Sequence, residues 1–271
     1  MTSSTAPLRA NGAAALEARD LTLAYEGRVV IDGLDVDLLH GQFTAVIGPN
    51  ACGKSTLLKG LGRVLSPRRG RVLLDGADIH ALPTRQVARS LALLPQEQMF
   101  PPGITVTDLV ARGRFAHQGL LRRWSAADEA AVSEALVLCR LEDLADRAVD
   151  ELSGGQRQRA WLALVLAQQA PTVLLDEPTT YLDIVHQLEI LRLCRTLHRS
   201  GTTLVAVLHD LNQAARFATH VIALREGRIM AEGPPEAVFT AESIADIFGL
   251  DVQVIPDPTC GAPLIIPVVP E

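Results

Sequence analysis

The residues Gly48-Pro49-Asn50-Ala51-Cys52-Gly53-Lys54-Ser55 set two glycines, a lysine and a hydroxyl at a spacing suited to phosphate. Glycine reaches backbone angles closed to other residues and leaves room for close approach, so the loop's N–H groups can curl around phosphate oxygens. Lys54 would neutralise the β- and γ-phosphates of a nucleotide, and Ser55 would ligate Mg²⁺. The helix expected to start here adds its positive N-terminal dipole. Lysine occurs only at 54 and 59 against 23 arginines, so Lys54 departs from the cation this chain otherwise uses.

Val173-Leu174-Leu175-Asp176-Glu177 is an apolar run ending in two adjacent carboxylates, the pattern of a buried strand emerging beside bound nucleotide. In that setting Asp176 holds the Mg²⁺ shell and Glu177 orients and deprotonates an attacking water. Leu152-Ser153-Gly154-Gly155-Gln156 precedes a long helical pattern, and Ser153 with Gln156 has capping-box spacing, which explains those two residues structurally. The capping box does not need the two glycines, which would bring bare N–H groups to a helix N-terminus and make a second phosphate site. Two such sites about a hundred residues apart suggest a nucleotide shared between two copies of the chain.

These motifs require particular elements to carry them. Residues 16–39 alternate apolar and polar side chains around a turn at Glu26-Gly27, as in an antiparallel β-element. Residues 43–47 form a compact apolar run before the glycine loop, and 55–61 read as helix, so strand, loop and helix follow in the order the phosphate motif needs. Pro101-Pro102-Gly103 opens a segment with helical patterns at 106–112, 126–139 and 141–147, and Ser125 with Asp128 resembles a capping box. From 153 onward helices alternate with buried strands, which implies a parallel sheet with helical crossovers. The expected organisation is a loose tail over 1–15, a core over 16–95 and 153–250, a helical subdomain over 96–152 and an extended appendage over 251–271, where five prolines fall.

Composition narrows the function classes. A net charge of −6 disfavours a general nucleic-acid binder, so Arg68-Arg69 and Arg122-Arg123 read as solvated faces or local anion contacts. Cysteines at 52, 139, 194 and 260 are too scattered for a metal or redox pair and too few for a disulfide framework, so no disulfide partner is expected. The seven histidines form no ligand set, leaving Mg²⁺ as the one expected metal. The most apolar stretch, 161–175, is broken by Gln168 and Gln169 and does not span a bilayer, and the first residues lack the pattern of a signal peptide.

The phosphate loop, Leu94-Pro95-Gln96, Leu152-Ser153-Gly154-Gly155-Gln156-Arg157-Gln158-Arg159, Asp176-Glu177-Pro178, Leu182-Asp183 and His209, in this order over residues 16–250, resemble the ATPase subunit of ABC transporters. That resemblance implies an α/β fold: a P-loop NTPase (RecA-like) core with an N-terminal antiparallel β-subdomain and an α-helical insertion. It implies ATP contacted by Tyr25, Gly48, Pro49, Asn50, Ala51, Cys52, Gly53, Lys54, Ser55 and Thr56, with Mg²⁺ held by Ser55, Gln96 and Asp176. Glu177, His209, Gln96 and Lys54 would be catalytic. Leu152, Ser153, Gly154, Gly155 and Gln156 would close the nucleotide site of a second copy, or of a homologous ATPase subunit, in a head-to-tail dimer that Asp183 contacts. Asp183 alone equally suits the N-cap of a helix near Ile184, and Gln96 a polar loop position. Tyr25 suits a half-buried strand aromatic or a ring stacked on a purine, without selecting ATP over GTP.

Val110-Ala111-Arg112-Gly113-Arg114 with His117 and Trp124, Thr179-Thr180-Tyr181-Leu182-Asp183, and Ile255-Pro256-Asp257-Pro258 resemble the importers of ferric siderophores, whose relatives handle haem and cobalamin. This implies a peripheral ATPase on the cytoplasmic face of the cell membrane. Its partner is a membrane-spanning permease, received near Gln96 and 100–125, with an extracytoplasmic substrate-binding protein engaged indirectly. A small-molecule kinase would leave the Ser153 motif and His209 unexplained. A soluble ABC ATPase acting on nucleic acid or ribosomes usually carries coiled-coil insertions or tandem cassettes, and this chain shows neither.

Overall fold

A computed structural model describes residues 13–96, 98–118, 123–180 and 182–268. Strands β1 (Ala14–Tyr25) and β2 (Arg28–Leu39) form a long antiparallel hairpin turned at Glu26-Gly27. Strand β3 (Phe43–Ile47) runs into the glycine loop and helix α1 (Lys54–Leu61). Strands β4 (Arg69–Leu74) and β5 (Ala77–Asp78) join the hairpin to complete a four-stranded sheet in the order β2-β1-β4-β5. Helix α2 (Thr84–Ser90) then leads to strand β6 (Leu91–Leu94).

Helices α3 (Val106–Ala111) and α4 (Ala126–Leu138) follow, and α5 (Gly154–Ala167) packs against both. The chain returns through β7 (Thr172–Leu175), α6 (Ile184–Arg199), β8 (Thr203–Val207), α7 (Leu211–Phe217), β9 (His220–Arg225) and β10 (Arg228–Gly233). It ends in α8 (Pro235–Val238), α9 (Ala241–Phe248), β11 (Val252–Pro256) and β12 (Pro263–Pro267).

The larger sheet has the order β10-β9-β3-β8-β7-β6, parallel except at β10. Every residue of β3, β7 and β8 is buried, as expected of a parallel sheet covered on both faces. The period of two sends Phe43, Ala45 and Ile47 into a core shared with α3 to α7, while Val46 enters a core shared with α1 and the four-stranded sheet. This is the α/β P-loop NTPase architecture, with an antiparallel sheet on one side and a helical segment inserted between β6 and β7.

Two local expectations are corrected. The tail ends sooner than residue 15: β1 begins at Ala14, Ala15 is fully buried and its carbonyl accepts from Asp75 N. Alanine carries too little apolar contrast to mark the start of an alternating strand. Residues 141–147 hold only a 3-10 turn at Glu142–Leu144, because the carbonyls of Ala145 and Arg147 accept from Thr107 and Val106 at the start of α3 and are lost to a helix. The extended C-terminal segment forms a hairpin of β11 and β12 with Pro256, Pro263 and Pro267 at strand ends and Val252 and Ile265 buried. Arg122, Tyr181, residues 1–12 and residues 269–271 lie outside the described residues.

Candidate functional site

Four parallel strands deliver the polar residues to one edge of the sheet. Leu94, Leu175 and Ala206 lie in register across β6, β7 and β8, and Val46 pairs with Val207. The chain therefore leaves β3 at Gly48, β6 towards Gln96, β7 at Asp176 and β8 towards His209, all at the carboxyl ends, where ligands of open α/β sheets bind. Backbone bonds from Asp176 N to Leu94 O and from Leu208 N to Val46 O, 2.9 and 3.2 Å, extend that register beyond the strands.

The glycine loop is shaped by close contacts. Gly48 has φ +148°, and a Cβ there would lie 2.1 Å from the carbonyl oxygen of Leu224. Lys54, 5% exposed, donates from Nζ to the carbonyls of Gly48 and Pro49 at 2.8 and 2.9 Å, so the ammonium is held at the loop and not in bulk solvent. Burial pushes the neighbouring Cys52 thiol up, against the Lys54 charge, so it stays neutral.

A cleft of about 800 Å³ opens over this loop. Asn50, Ala51, Cys52, Gly53, Lys54, Ser55 and Thr56 line it, together with Tyr25, Glu177 and His209. Arg28, Val30 and Gly227 also line it, and no sequence motif marked them. Tyr25 ends β1 with 42% of its surface exposed. Gly48, Pro49, Gln96 and Asp176 lie outside that lining, and so do all of Leu152, Ser153, Gly154, Gly155 and Gln156.

Glu177 is the most heavily constrained side chain of the cleft. Its Oε1 lies 2.8 Å from His209 Nε2, while Oε2 accepts from Gln96 Nε2 and Thr180 Oγ1, each at 3.0 Å. Its backbone adopts φ +54°, a left-handed conformation uncommon for a residue with a Cβ. Thr180 belongs to the Thr179–Asp183 motif of the sequence, but its contact with Glu177 was not expected; a hydroxyl three residues beyond a carboxylate carries no such signal until the turn is seen.

Asp176, 2% exposed, accepts from Ser55 Oγ at 2.8 Å. Burial raises its pKa above the ordinary carboxylate value, opposed by the Ser55 hydrogen bond and raised further by Glu177. A hydroxyl and a buried carboxylate in contact beside the phosphate loop are hard oxygen donors that fit Mg²⁺, which typically takes one or two protein oxygens and completes its shell with phosphate and water. Among the described residues no group of three or more His, Cys, Asp and Glu side chains could hold a metal.

Ser153 caps α5 through a reciprocal capping box, Ser153 N to Gln156 Oε1 at 3.0 Å and Gln156 N to Ser153 Oγ at 3.3 Å. Ser153 and Gly154 are exposed, and a Cβ on Gly155 would approach the His186 ring at 3.2 Å. Asp183 caps α6, accepting from His186 N at 3.0 Å, with its side chain 66% exposed.

Fold and phosphate loop together define a nucleotide-binding ATPase domain. The ABC transporter family model matches residues 31–180, and the chain belongs to that family. It is 52% identical over 255 residues to the ferric enterobactin transport ATP-binding protein of Escherichia coli (strain K12), covering 94% of each chain. It is 51% identical to a probable siderophore transport system ATP-binding protein of Bacillus subtilis (strain 168), again covering 94% of each. A solved inward-facing structure described as a metal-chelate type ABC transporter superposes with a TM-score of 0.80 at 28% identity, covering 95% of this chain and 98% of that one.

Proposed function

We propose that this ATPase subunit powers import of ferric siderophore complexes through a membrane-spanning permease, from a peripheral position on the cytoplasmic face of the membrane. The cargo class is supported by the siderophore and ferric enterobactin transport relatives, each matched over nearly its whole length. No helix among the described residues is long and apolar enough to cross a membrane, so in this reading the permease supplies the passage and an extracytoplasmic binding protein the cargo.

The observation that carries the catalytic assignment is the three-way fixation of Glu177 beside the phosphate loop. Lys54 and the backbone N–H groups of Asn50 to Thr56 would cradle the ATP phosphates, and Tyr25, which lines the same cleft, would stack on the base. Ser55 and Asp176, with Gln96 nearby, would hold Mg²⁺, whose charge would offset that developing on the phosphates. Glu177 orients and deprotonates the attacking water, and its contacts to Gln96 and His209 set the carboxylate's direction. His209, which lines the cleft beside Glu177, would meet the γ-phosphate.

Ser153 and Gly154 are exposed and away from their own chain's cleft, which supports their closing the nucleotide site of a second copy. Asp183, exposed and already satisfied as a helix cap, is free to add a contact across that dimer. ATP binding then closes two cassettes and hydrolysis reopens them, moving the permease.

Glu177→Gln is expected to preserve ATP binding, abolish turnover and trap the ATP-bound dimer, as read by phosphate release and size exclusion. Hydrolysis at the parental rate would remove Glu177 from the role. Deletion of the chain, followed by uptake of labelled ferric siderophore, haem and cobalamin, tests cargo: unchanged siderophore uptake in a strain without a redundant importer rejects it.

A further inference from the structure

The segment from Glu177 to Asp183 belongs to no strand or helix among its described residues, yet it links the carboxylate at the cleft to the exposed cap of α6. Side-chain amides hold its carbonyls. Gln158 of α5 donates Nε2 to Pro178 O at 3.0 Å. Gln187 of α6 donates Nε2 to Leu182 O at 3.0 Å and to Thr179 O at 3.3 Å.

A carbonyl can only accept, so the Gln187 nitrogen must face the loop and its oxygen must face away. That oxygen accepts from Nε2 of Gln213 at 2.7 Å. Gln213 is 7% exposed on α7, and its own N–H donates to the cap Asp210, the residue after His209. The path from His209 along α7, through Gln213 and Gln187, into the loop that begins at Glu177 is closed by the 2.8 Å contact between His209 and Glu177.

We infer that Gln187, oriented by Gln213, is a positioning residue for ATP hydrolysis, holding the 177–183 loop so that Glu177 at the water and Asp183 at the dimer face keep one register. The inference rests on the reading of Glu177 given above. Backbone held in a left-handed conformation persists only where its surroundings over-determine it, and at Glu177 the two carbonyl bonds from Gln187 and the one from Gln158 supply that constraint. The half-buried amide of Gln187, which satisfies three partners at once, also couples α7 to the loop, because a shift of either one strains the bonds to the other.

Two substitutions separate this role from simple packing. Gln187→Glu keeps the size and the bond from Gln213 but turns a carboxylate towards two carbonyl oxygens. Gln187→Met keeps the volume and removes the polar contacts. In the full-length chain both are expected to lower kcat about tenfold or more while the KM for ATP stays within about twofold, the signature of a group acting in the transition state. In a Glu177→Gln background, Gln187→Glu is expected to raise the ATP concentration needed for dimerisation by about tenfold, a readout that does not pass through hydrolysis.

A kcat within about twofold of the parent in both variants, or a raised KM with kcat unchanged, overturns the inference. If either variant melts early by circular dichroism, Gln213→Met, which removes only the orienting bond, decides in its place: a parental kcat there overturns it. Glu177→Gln alone keeps the two readings apart. Parental turnover in that variant defeats the catalytic assignment, whereas an inactive, dimer-trapping Glu177→Gln beside a fully active Gln187→Glu defeats only the relay.

Discussion

Asp176 binds its proton more tightly in the folded chain than in the unfolded one, because burial raises its pKa despite the hydrogen bond from Ser55. A carboxyl of this kind lowers stability as pH rises from the ordinary carboxylate range through the raised folded value, and the deficit persists above it. A buried destabilised charge in a cleft marks a candidate functional group, which fits the proposed role of Asp176 as an oxygen donor to Mg²⁺. Asp176→Asn is therefore expected to stabilise the nucleotide-free protein at neutral pH, raising the melting temperature by about 2–4 °C per kcal/mol regained, while Mg²⁺-dependent hydrolysis is lost. Calorimetry beside a phosphate-release assay checks both halves; a variant that melts lower and still hydrolyses ATP rejects the assignment. Glu177 differs, since its cost lies in the backbone at φ +54° and its side chain is satisfied on both oxygens.

Helix α5 begins at the exposed Ser153 and is held at its far end by the helical insertion. Arg114, 4% exposed, pairs with Asp128 at 3.0 Å and donates from Nη1 to the carbonyl of Ala167 and to Gln169 Oε1. Gly113 permits this approach, since a Cβ there would lie 2.3 Å from Leu164 O. Gln168 donates to Ala88 O and Leu91 O, which joins the same helix end to the strand that leads to Gln96. Asp128 is held below the ordinary carboxylate range, first by the Ser125 hydroxyl and then by Arg114. That stabilisation is present above the unfolded pKa and disappears as pH falls through the lowered folded value. Arg114→Met leaves a buried carboxylate without its cation and is expected to cost about 3–5 kcal/mol in urea unfolding at neutral pH. The loss should shrink below about pH 4, where a proton can neutralise Asp128; an equal loss at both pH values would mean that packing and not charge is at stake.

In the whole molecule the Ser153 motif lies outside the cleft over the phosphate loop, and in the proposed arrangement each site joins the loop of one chain to the Ser153 motif of another. Lys54→Ala and Ser153→Arg should each be inactive as a homodimer. Mixed in equal amounts, half the dimers are heterodimers in which one site joins an intact Lys54 to an intact Ser153, and about a quarter of parental activity should return under random assortment. No recovery on mixing, with dimers present, would place both motifs in the same chain's site. The C-terminal hairpin belongs to this scale as well: Asn212 of α7 donates to Ile265 O at 3.2 Å and accepts from Ile265 N at 2.7 Å, which ties the last strands to the helix that follows His209.

What the sequence alone determined is local. The strand, loop and helix over 43–61, the capping boxes at Ser125 and Ser153 and the cap at Asp183 all depend on residues a few positions apart, whose geometry the helix and strand periods set. The family resemblance supplied the expected dimer and the expected roles of distant residues, but no spacing in the chain could say that Gln96 would reach Glu177 across 81 residues. Tertiary structure decided that pairing, through the order β3-β8-β7-β6 that brings four strand ends together. It also decided the point where local pattern misled, since residues 141–147 gave up a helix because their carbonyls are claimed by α3, and it set the contact of the proline-rich end with Asn212 of α7. Local geometry is repeated along the chain and can be read from it; a hydrogen bond between remote segments exists only after packing has chosen which of them become neighbours.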